Sequence, residues 1–275
     1  MTLQEYKQIR LDELKFYYHD VTMTDRCEND LILSILGSFD IKLFIDIGAN
    51  RGDVTKLVHE DKKDIKIMAF EPDKRIRKEF EKNIKSDNVK LYPYAIWKRN
   101  WFKKLFISED CTQSSLIFPL IKAFKWVRTK KLDNYFNEIK KYKNILIKID
   151  TEGTEPDVLK GMSKIFKKIK TPIIVLFEYS HKWLYSDKER QKIFSTIFGN
   201  NFSILRLNPF GLEAMGSDIS WQLKRFHYSL MVILKGVKFL NTPDNISSIN
   251  SMVEILPMVD EVKIDFSETE KEIFK

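Results

Sequence analysis

Leu43 to Thr55 reads LFIDIGANRGDVT: an apolar run containing the β-branched Ile45 and Ile47 carries one acid, Asp46, into a glycine turn that opens a helix. Gly48 and Gly52 have no Cβ, so the backbone can bend sharply there and a ligand can approach it. The pattern Gly48, Ala49, Asn50, Arg51, Gly52 falls short of the G-x-G-x-x-G of dinucleotide sites. A carboxylate at the strand end also repels the pyrophosphate that a helix N-terminus would otherwise attract. The acid suits an adenosine-sized cofactor that carries an ammonium group, and S-adenosylmethionine is the common one. The plain structural alternative is a tight strand-to-helix turn with a solvated Asp46.

One α/β unit further on, IKIMAFEPDKRIRKEFEKN from Ile65 to Asn83 is a second apolar strand that ends in Glu71-Pro72 and enters a charged helix. A carboxylate at the end of the second strand can accept both ribose hydroxyls of a nucleoside. Pro72 fits the first helical turn, where its missing N–H costs nothing. A third element, ILIKIDTEGTEPDVLKG from Ile145 to Gly161, carries Lys148, Asp150 and Glu152 into a turn at Gly153. Thr154 and Asp157 are spaced as a capping box, and Val158, Leu159, Met162, Ile165 and Phe166 give one helical apolar face. Strand side chains alternate, so Lys148, Asp150 and, if extension continues, Glu152 share a face, and both acids would point to the ligand crevice. An ion pair and a helix-end acid are the alternative.

Between these motifs, strands are predicted near residues 41–47, 65–70, 89–95, 145–150 and 172–178, with helices at 53–60, 73–86, 131–141 and 155–168. That alternation predicts a largely parallel sheet covered on both faces. Two helices, Thr2–Tyr18 and Asn29–Leu36, precede the first strand; a helix at Ser186–Gly199 and strands at Phe202–Leu207 and Tyr228–Leu234 follow the last. Asp110 to Lys130 is read either as a lid over the crevice or as a core helix broken by Pro119.

With these motifs in order, the chain from about Lys42 to Tyr179 resembles the FkbM-type S-adenosylmethionine-dependent methyltransferases. The resemblance is carried by FIDIGANRG, FEPD, Ser114-Ser115-Leu116, LDNYF, KIDTEG with the following Glu155, and FEYS from Phe177. It implies a class I methyltransferase, Rossmann-like α/β sheet, mostly parallel with an antiparallel closing strand and helices on both faces. It also implies O-methylation of a hydroxyl on a sugar, glycan or secondary metabolite. The cofactor site would then comprise Asp46, Gly48, Ala49, Asn50 and Gly52 in the turn, Glu71 and Pro72 at the second strand, Ala95 at the third and Asp150 at the fourth. The expected domain is 41–240, with an N-terminal helical cap at 1–40 and an extension at 241–275.

Methyl transfer is an in-line displacement, so the protein mainly positions the acceptor and takes its proton. Asp150, Glu152, Glu178 and His181 are the candidate bases, the last because it follows a strand end and an imidazole ordinarily titrates at about 6.5. No metal is required. An amino-methyltransferase on nucleic acid would carry D/N-P-P-Y/F after the fourth strand, where this chain has Asp150-Thr151-Glu152-Gly153; Asn208-Pro209-Phe210 falls too late. A cofactor-binding regulatory protein without turnover is the other alternative.

Composition fits one principal domain of 275 residues, 43% of them hydrophobic, and no apolar stretch nears the roughly 18 residues of a membrane helix. Met1 to Asp20 is charged throughout with no signal-peptide core, and Cys27 and Cys111 form no disulfide framework. A cytoplasmic location is expected. The net charge of +8 reads mostly as solvated helix faces. Lys98, Arg99, Lys103 and Lys104 interleave with Trp97, Trp101 and Phe102, either as an amphipathic hairpin or as a basic aromatic surface for nucleic acid or an acidic glycan.

Overall fold

The computed structural model describes residues 21–107, 114–117, 123–180, 202–208, 211–214 and 228–235. His181, the helices expected at Thr2–Tyr18 and Ser186–Gly199, and the segment 241–275 lie outside them.

Leu43–Ile47 (β1) and Ile145–Ile149 (β7) are buried at every position. Continuous apolar runs of this kind belong in the middle of a parallel sheet, where both faces are covered. They pair with each other, and the parallel order extends outward through Lys66–Phe70 (β2) and Val89–Tyr92 (β3) on one side and Ile173–Ser180 (β8) on the other. Tyr228–Lys235 (β11) then runs antiparallel beside β8 and carries the hairpin of Phe202–Asn208 (β9) and Gly211–Ala214 (β10). The eight-stranded order is β10-β9-β11-β8-β7-β1-β2-β3. The chain leaves β1 in one direction and returns through β7 on the other side, so the topological switch point lies between the carboxyl ends of these two strands. That is where open α/β sheets bind ligands.

Strand alternation sorts the core into two layers. Leu43, Ile45 and Ile47 face a cluster with Met68, Phe70, Ile147, Val158 and Phe166. Phe44, Ile67, Leu146 and Ile174 face the opposite way, onto Leu31, Ile32, Ile35 and Leu36 of the helix Val21–Ser38 (α1) and onto Val58 of Asp53–Asp61 (α2). Lys74–Asn83 (α3) closes a smaller cluster with Phe80 and Ile84. Among the described residues, no helix is long and apolar enough to cross a membrane.

The parallel sheet, its antiparallel end and the helices on both faces match the expectation; the helix expected at Asn29–Leu36 starts earlier, at Val21, and three further local features differ. The single helix expected at 155–168 is two short ones, Glu155–Lys160 (α4) and Ser163–Lys168 (α5). At the break, a Cβ on Gly161 would come within 2.5 Å of the Trp97 carbonyl oxygen. The helix expected at 131–141 shrinks to a 3₁₀ turn, Leu132–Tyr135, and one α-turn, Phe136–Ile139. Ala95–Ile96 (β4), Trp101–Phe106 (β5) and Phe124–Lys130 (β6) form a separate sheet in the order β4-β6-β5. Residues 124–130 are therefore not part of a broken core helix: Val127 and Thr129 are buried while their neighbours are not, the two-residue period of a strand. The rest of the proposed lid, 108–113 and 118–122, lies outside the described residues.

Candidate functional site

The cleft at the switch point is built from three strand ends. After β1, Gly48, Asn50 and Gly52 all adopt left-handed backbone, with φ of 85°, 46° and 89°. The Gly48 and Ala49 N–H groups both donate to the Phe70 carbonyl at 3.0 Å, which fastens the turn to β2. A Cβ on Gly48 would lie 1.8 Å from the Asp150 carbonyl oxygen, and one on Gly52 would lie 2.7 Å from Phe80 and Ile84. Gly48 therefore lets two loops touch, whereas Gly52 seats the start of α2 on α3.

After β2, Glu71 is buried and its two carboxylate oxygens accept backbone N–H groups, Oε1 from Asp73 at 2.7 Å and Oε2 from Asn50 at 3.2 Å. Burial pushes its carboxyl up to about 7, against the opposing pull of those two donors. Asp73, not Pro72, begins the helix: it caps α3 by accepting the Arg75 N–H at 2.8 Å. Burial pushes the Asp73 carboxyl up, but the hydrogen bonds from Arg75 outweigh it and hold the group below its ordinary range.

After β7, extended backbone stops. Asp150 stays on the Lys148 face, as alternation requires, and accepts from Lys148 Nζ at 2.9 Å. Glu152 turns left-handed at φ 55°, and its carbonyl accepts the Ser115 hydroxyl at 2.7 Å. A non-glycine residue in this region carries about 1–3 kcal/mol of strain unless its surroundings fix it. The buried Glu155 does so: its Oε1 accepts the Thr151 N–H and hydroxyl, both at 2.9 Å, and the Gly153 N–H at 3.1 Å. Burial pushes this carboxyl also up to about 7. The expected Thr154–Asp157 capping box does not form. Asp157 instead accepts the Trp97 indole N–H at 2.7 Å and pairs with Lys98 at 2.9 Å. Glu155→Ala is expected to cost about 3 kcal/mol in a denaturant melt, because three donors lose their acceptor in a dry site. Glu155→Gln, which keeps an acceptor oxygen, is expected to lose less than half of that, and equal losses would remove this role.

These elements enclose a cleft of about 690 Å³, its open mouth included, lined among others by Gly48, Asn50, Glu71, Asp150, Glu152 and Thr154. Pro72 and Ala95 also line it, so six of the expected cofactor residues converge. Asp46, Ala49 and Gly52 are not among the lining residues. Ile47, the last residue of β1, reaches the cleft, and Asp46 one residue earlier does not. Asp46 is 1% exposed, accepts the Thr55 hydroxyl at 2.6 Å and stands in register with Lys148 on β7. Burial raises its carboxyl, with Lys148 opposing. Burial would strip the proton from Lys148, but Asp150, Glu28 on α1 and Asp46 together hold it above its ordinary range. Glu28 lies 3.8 Å from the ammonium. Asp46 and Lys148 thus brace the turn from behind.

Glu178 is half-buried on β8 and does not line the cleft. Sequence reading passed over Tyr94, Ile96, Leu105 and Thr154, which do line it. Ile96 and Leu105 are apolar strand positions, which carry no chemical signal, and Thr154 was assigned to capping. Asn50 Oδ1 and Thr154 Oγ1 are buried with no hydrogen-bond partner among the described residues. Two orphaned side-chain oxygens and a buried carboxylate on the lining of one open cleft fit an adenosine-containing cofactor.

The family model of the methyltransferase FkbM domain matches residues 46–207. Among solved structures, the FkbM methyltransferase of Methylobacillus flagellatus is 14% identical at a TM-score of 0.42, over 71% of this chain and 44% of that one. This chain therefore spans less than half the length of that relative. The methyltransferase domain of bacterial CtHen1-C is 13% identical at 0.43, over 76% of this chain and 96% of that one. An S-adenosylmethionine-dependent O-methyltransferase of Thermotoga maritima is 11% identical at 0.39, over 78% and 66%. No curated protein sequence matches the chain.

Proposed function

Since the chain belongs to the methyltransferase FkbM domain family, we propose that it transfers the methyl group of S-adenosylmethionine to a hydroxyl of a sugar, glycan or other small-molecule acceptor. The observation that carries this reading is Glu71, a buried carboxylate held at the cleft wall by two backbone N–H groups, one of them from Asn50 in the left-handed turn that follows Gly48. With both its oxygens already oriented, Glu71 accepts the two ribose hydroxyls. Asn50 and Thr154 offer their orphaned side-chain oxygens to the polar groups of the same ligand. When bound, the sulfonium supplies both the methyl group and its own leaving group.

What remains for the chain is to aim the acceptor and take its proton. Asp150 and Glu152 line the same cleft as Glu71. Asp150 accepts from Lys148 at 2.9 Å, and Glu152 lines the cleft on a left-handed turn fixed by Ser115 and Glu155. Glu152 is the proposed base, accepting the hydroxyl proton as the oxygen attacks the methyl carbon.

Calorimetric titration with S-adenosylhomocysteine, with NADH as control ligand, tests the cofactor assignment. Micromolar binding of the first alone is expected, and binding of neither would overturn it. For Glu152→Gln the expected outcome is a 10²- to 10⁴-fold loss of radiolabelled methyl transfer, about the worth of a general base, with cofactor affinity unchanged. Lost affinity would move Glu152 from catalysis to binding.

A further inference from the structure

The outer face of the small sheet is not part of the cleft and has a chemistry of its own. In the β5–β6 register, Phe102 lies opposite Arg128, Lys104 opposite Trp126 and Phe106 opposite Phe124, so these six side chains share one face. The alternate positions Leu105 and Val127 turn inward, to the cluster with Ala95 and Leu116 beside the cleft. Outward, Phe102 is 51%, Phe124 43% and Trp126 64% exposed. Singly exposed apolar residues are ordinary; three large aromatics on one face of a small sheet are not.

Cations are interleaved with them. Lys104 Nζ stands 4.2 Å from the Phe124 ring centre, and the Arg128 guanidinium 5.5 Å from that of Phe102. Among the described residues, neither Lys104 nor Arg128 is ion-paired with a carboxylate. The sequence around the strands is also one-signed: Ala95 to Ser108 and Cys111 to Leu132 contain lysines and arginines but no acid.

We propose that this face is a docking surface for an anionic lipid bilayer, with the aromatic rings seated at headgroup depth and Lys104 and Arg128 on lipid phosphates. Three considerations select that partner. Sugar hydroxyls are read by carboxylates and amides, and neither strand carries an Asp, Glu, Asn or Gln. Bases of a single-stranded nucleic acid need open, parallel ring faces, whereas Phe124 and Trp126 are inclined at 90°, Phe106 and Phe124 at 60°, and cations cap the rings of Phe124 and Phe102. Tryptophan, phenylalanine and basic side chains together, with no acid among them, are the composition that settles at a bilayer interface without crossing it.

The test is co-sedimentation of the full chain with vesicles of phosphatidylcholine containing about one quarter phosphatidylglycerol, against phosphatidylcholine alone, at low salt. Binding to the anionic vesicles only is expected, with a blue shift of tryptophan emission. Lys104→Ala with Arg128→Ala is expected to weaken it about 25-fold, near fivefold for each cation. Phe102→Ser with Trp126→Ser, also exposed positions, is expected to abolish the blue shift. The proposal is overturned if the intact chain ignores anionic vesicles, if both double variants bind as well as the wild type, or if an oligo-dT strand binds and the vesicles do not. Because none of these residues lines the cleft, a negative result leaves the cofactor titration unaffected.

Discussion

Gly48→Ala is expected to be the most damaging single substitution outside the hydrophobic core, lowering stability by about 4 kcal/mol or more. Two independent costs meet at this residue. Its φ of 85° is a conformation that side-chain-bearing residues rarely adopt. The added Cβ would also stand 1.8 Å from the Asp150 carbonyl oxygen, and that oxygen is main chain, unable to rotate away as a side chain would. Relief requires β1 and β7 to separate at their carboxyl ends, which opens the cleft as well as the fold. For a chain of this size the melting temperature should fall by about 10 °C, and cofactor binding should vanish in whatever protein remains folded. Gly37→Ala is the control, since nothing lies within 4 Å of its added Cβ and it sits in a helix; it should be neutral or slightly stabilising. Should Gly48→Ala melt within a degree or two of the wild type, the contact between the two loops does not exist.

Glu71→Ala is expected to weaken S-adenosylhomocysteine binding by about 1.5–3 kcal/mol, the worth of hydrogen bonds to a charged acceptor. The carboxyl titrates at about 7, because burial disfavours its charge, and this gives the assignment a signature that a structural role would not share. Only the ionised form can accept from both hydroxyls, so affinity should rise with pH and be roughly tenfold weaker at pH 6 than at pH 8. Stability should move the other way. The unfolded carboxyl loses its proton near 4.5 and the folded one near 7, so between those values the native state binds more protons and stability declines as pH rises. Glu155 is also pushed up to about 7 and adds to the stability trend. Glu71→Gln should therefore flatten the affinity profile while leaving part of the stability slope. An affinity profile that stays steep in Glu71→Gln would assign the titration to another group.

The sheet was legible because its central strands announce themselves: LFIDI and ILIKI are apolar runs bounded by glycine turns, and the acids that close them mark the ligand side of the sheet. Asp46 shows where that reading stops. Its position at a strand end was correct, but a motif gives a residue's place along the strand and not its surroundings: Asp46 is buried against the Thr55 hydroxyl beside Lys148 and outside the lining of the cleft, whereas Asp150, on the same face and further along, reaches it. Glu155 was visible only as an acid following a family motif; that it clamps the Glu152 turn depends on a loop shape that no periodicity encodes. Thr154 looked like a cap because its spacing to Asp157 was right, yet Trp97 and Lys98, more than fifty residues earlier, claim that aspartate. The strand at Phe124–Lys130 escaped notice because its exposed positions mix large aromatics with lysine and arginine, and the two buried ones are only Val127 and Thr129, which blurs the alternation.

The helix α1 precedes the first residue of the family match at 46, yet Leu31, Ile32, Ile35 and Leu36 form a full wall of the core and Glu28 faces the Lys148 ammonium. The portable piece of this protein is accordingly longer than the piece that sequence resemblance outlines. A graft, fusion or shortened chain that starts at the first strand would carry the cofactor turn intact but leave one side of the sheet bare, with Phe44, Leu146 and Ile174 turned to water. Its boundary has to be drawn ahead of Glu28, where the last charge that steadies the site enters the fold.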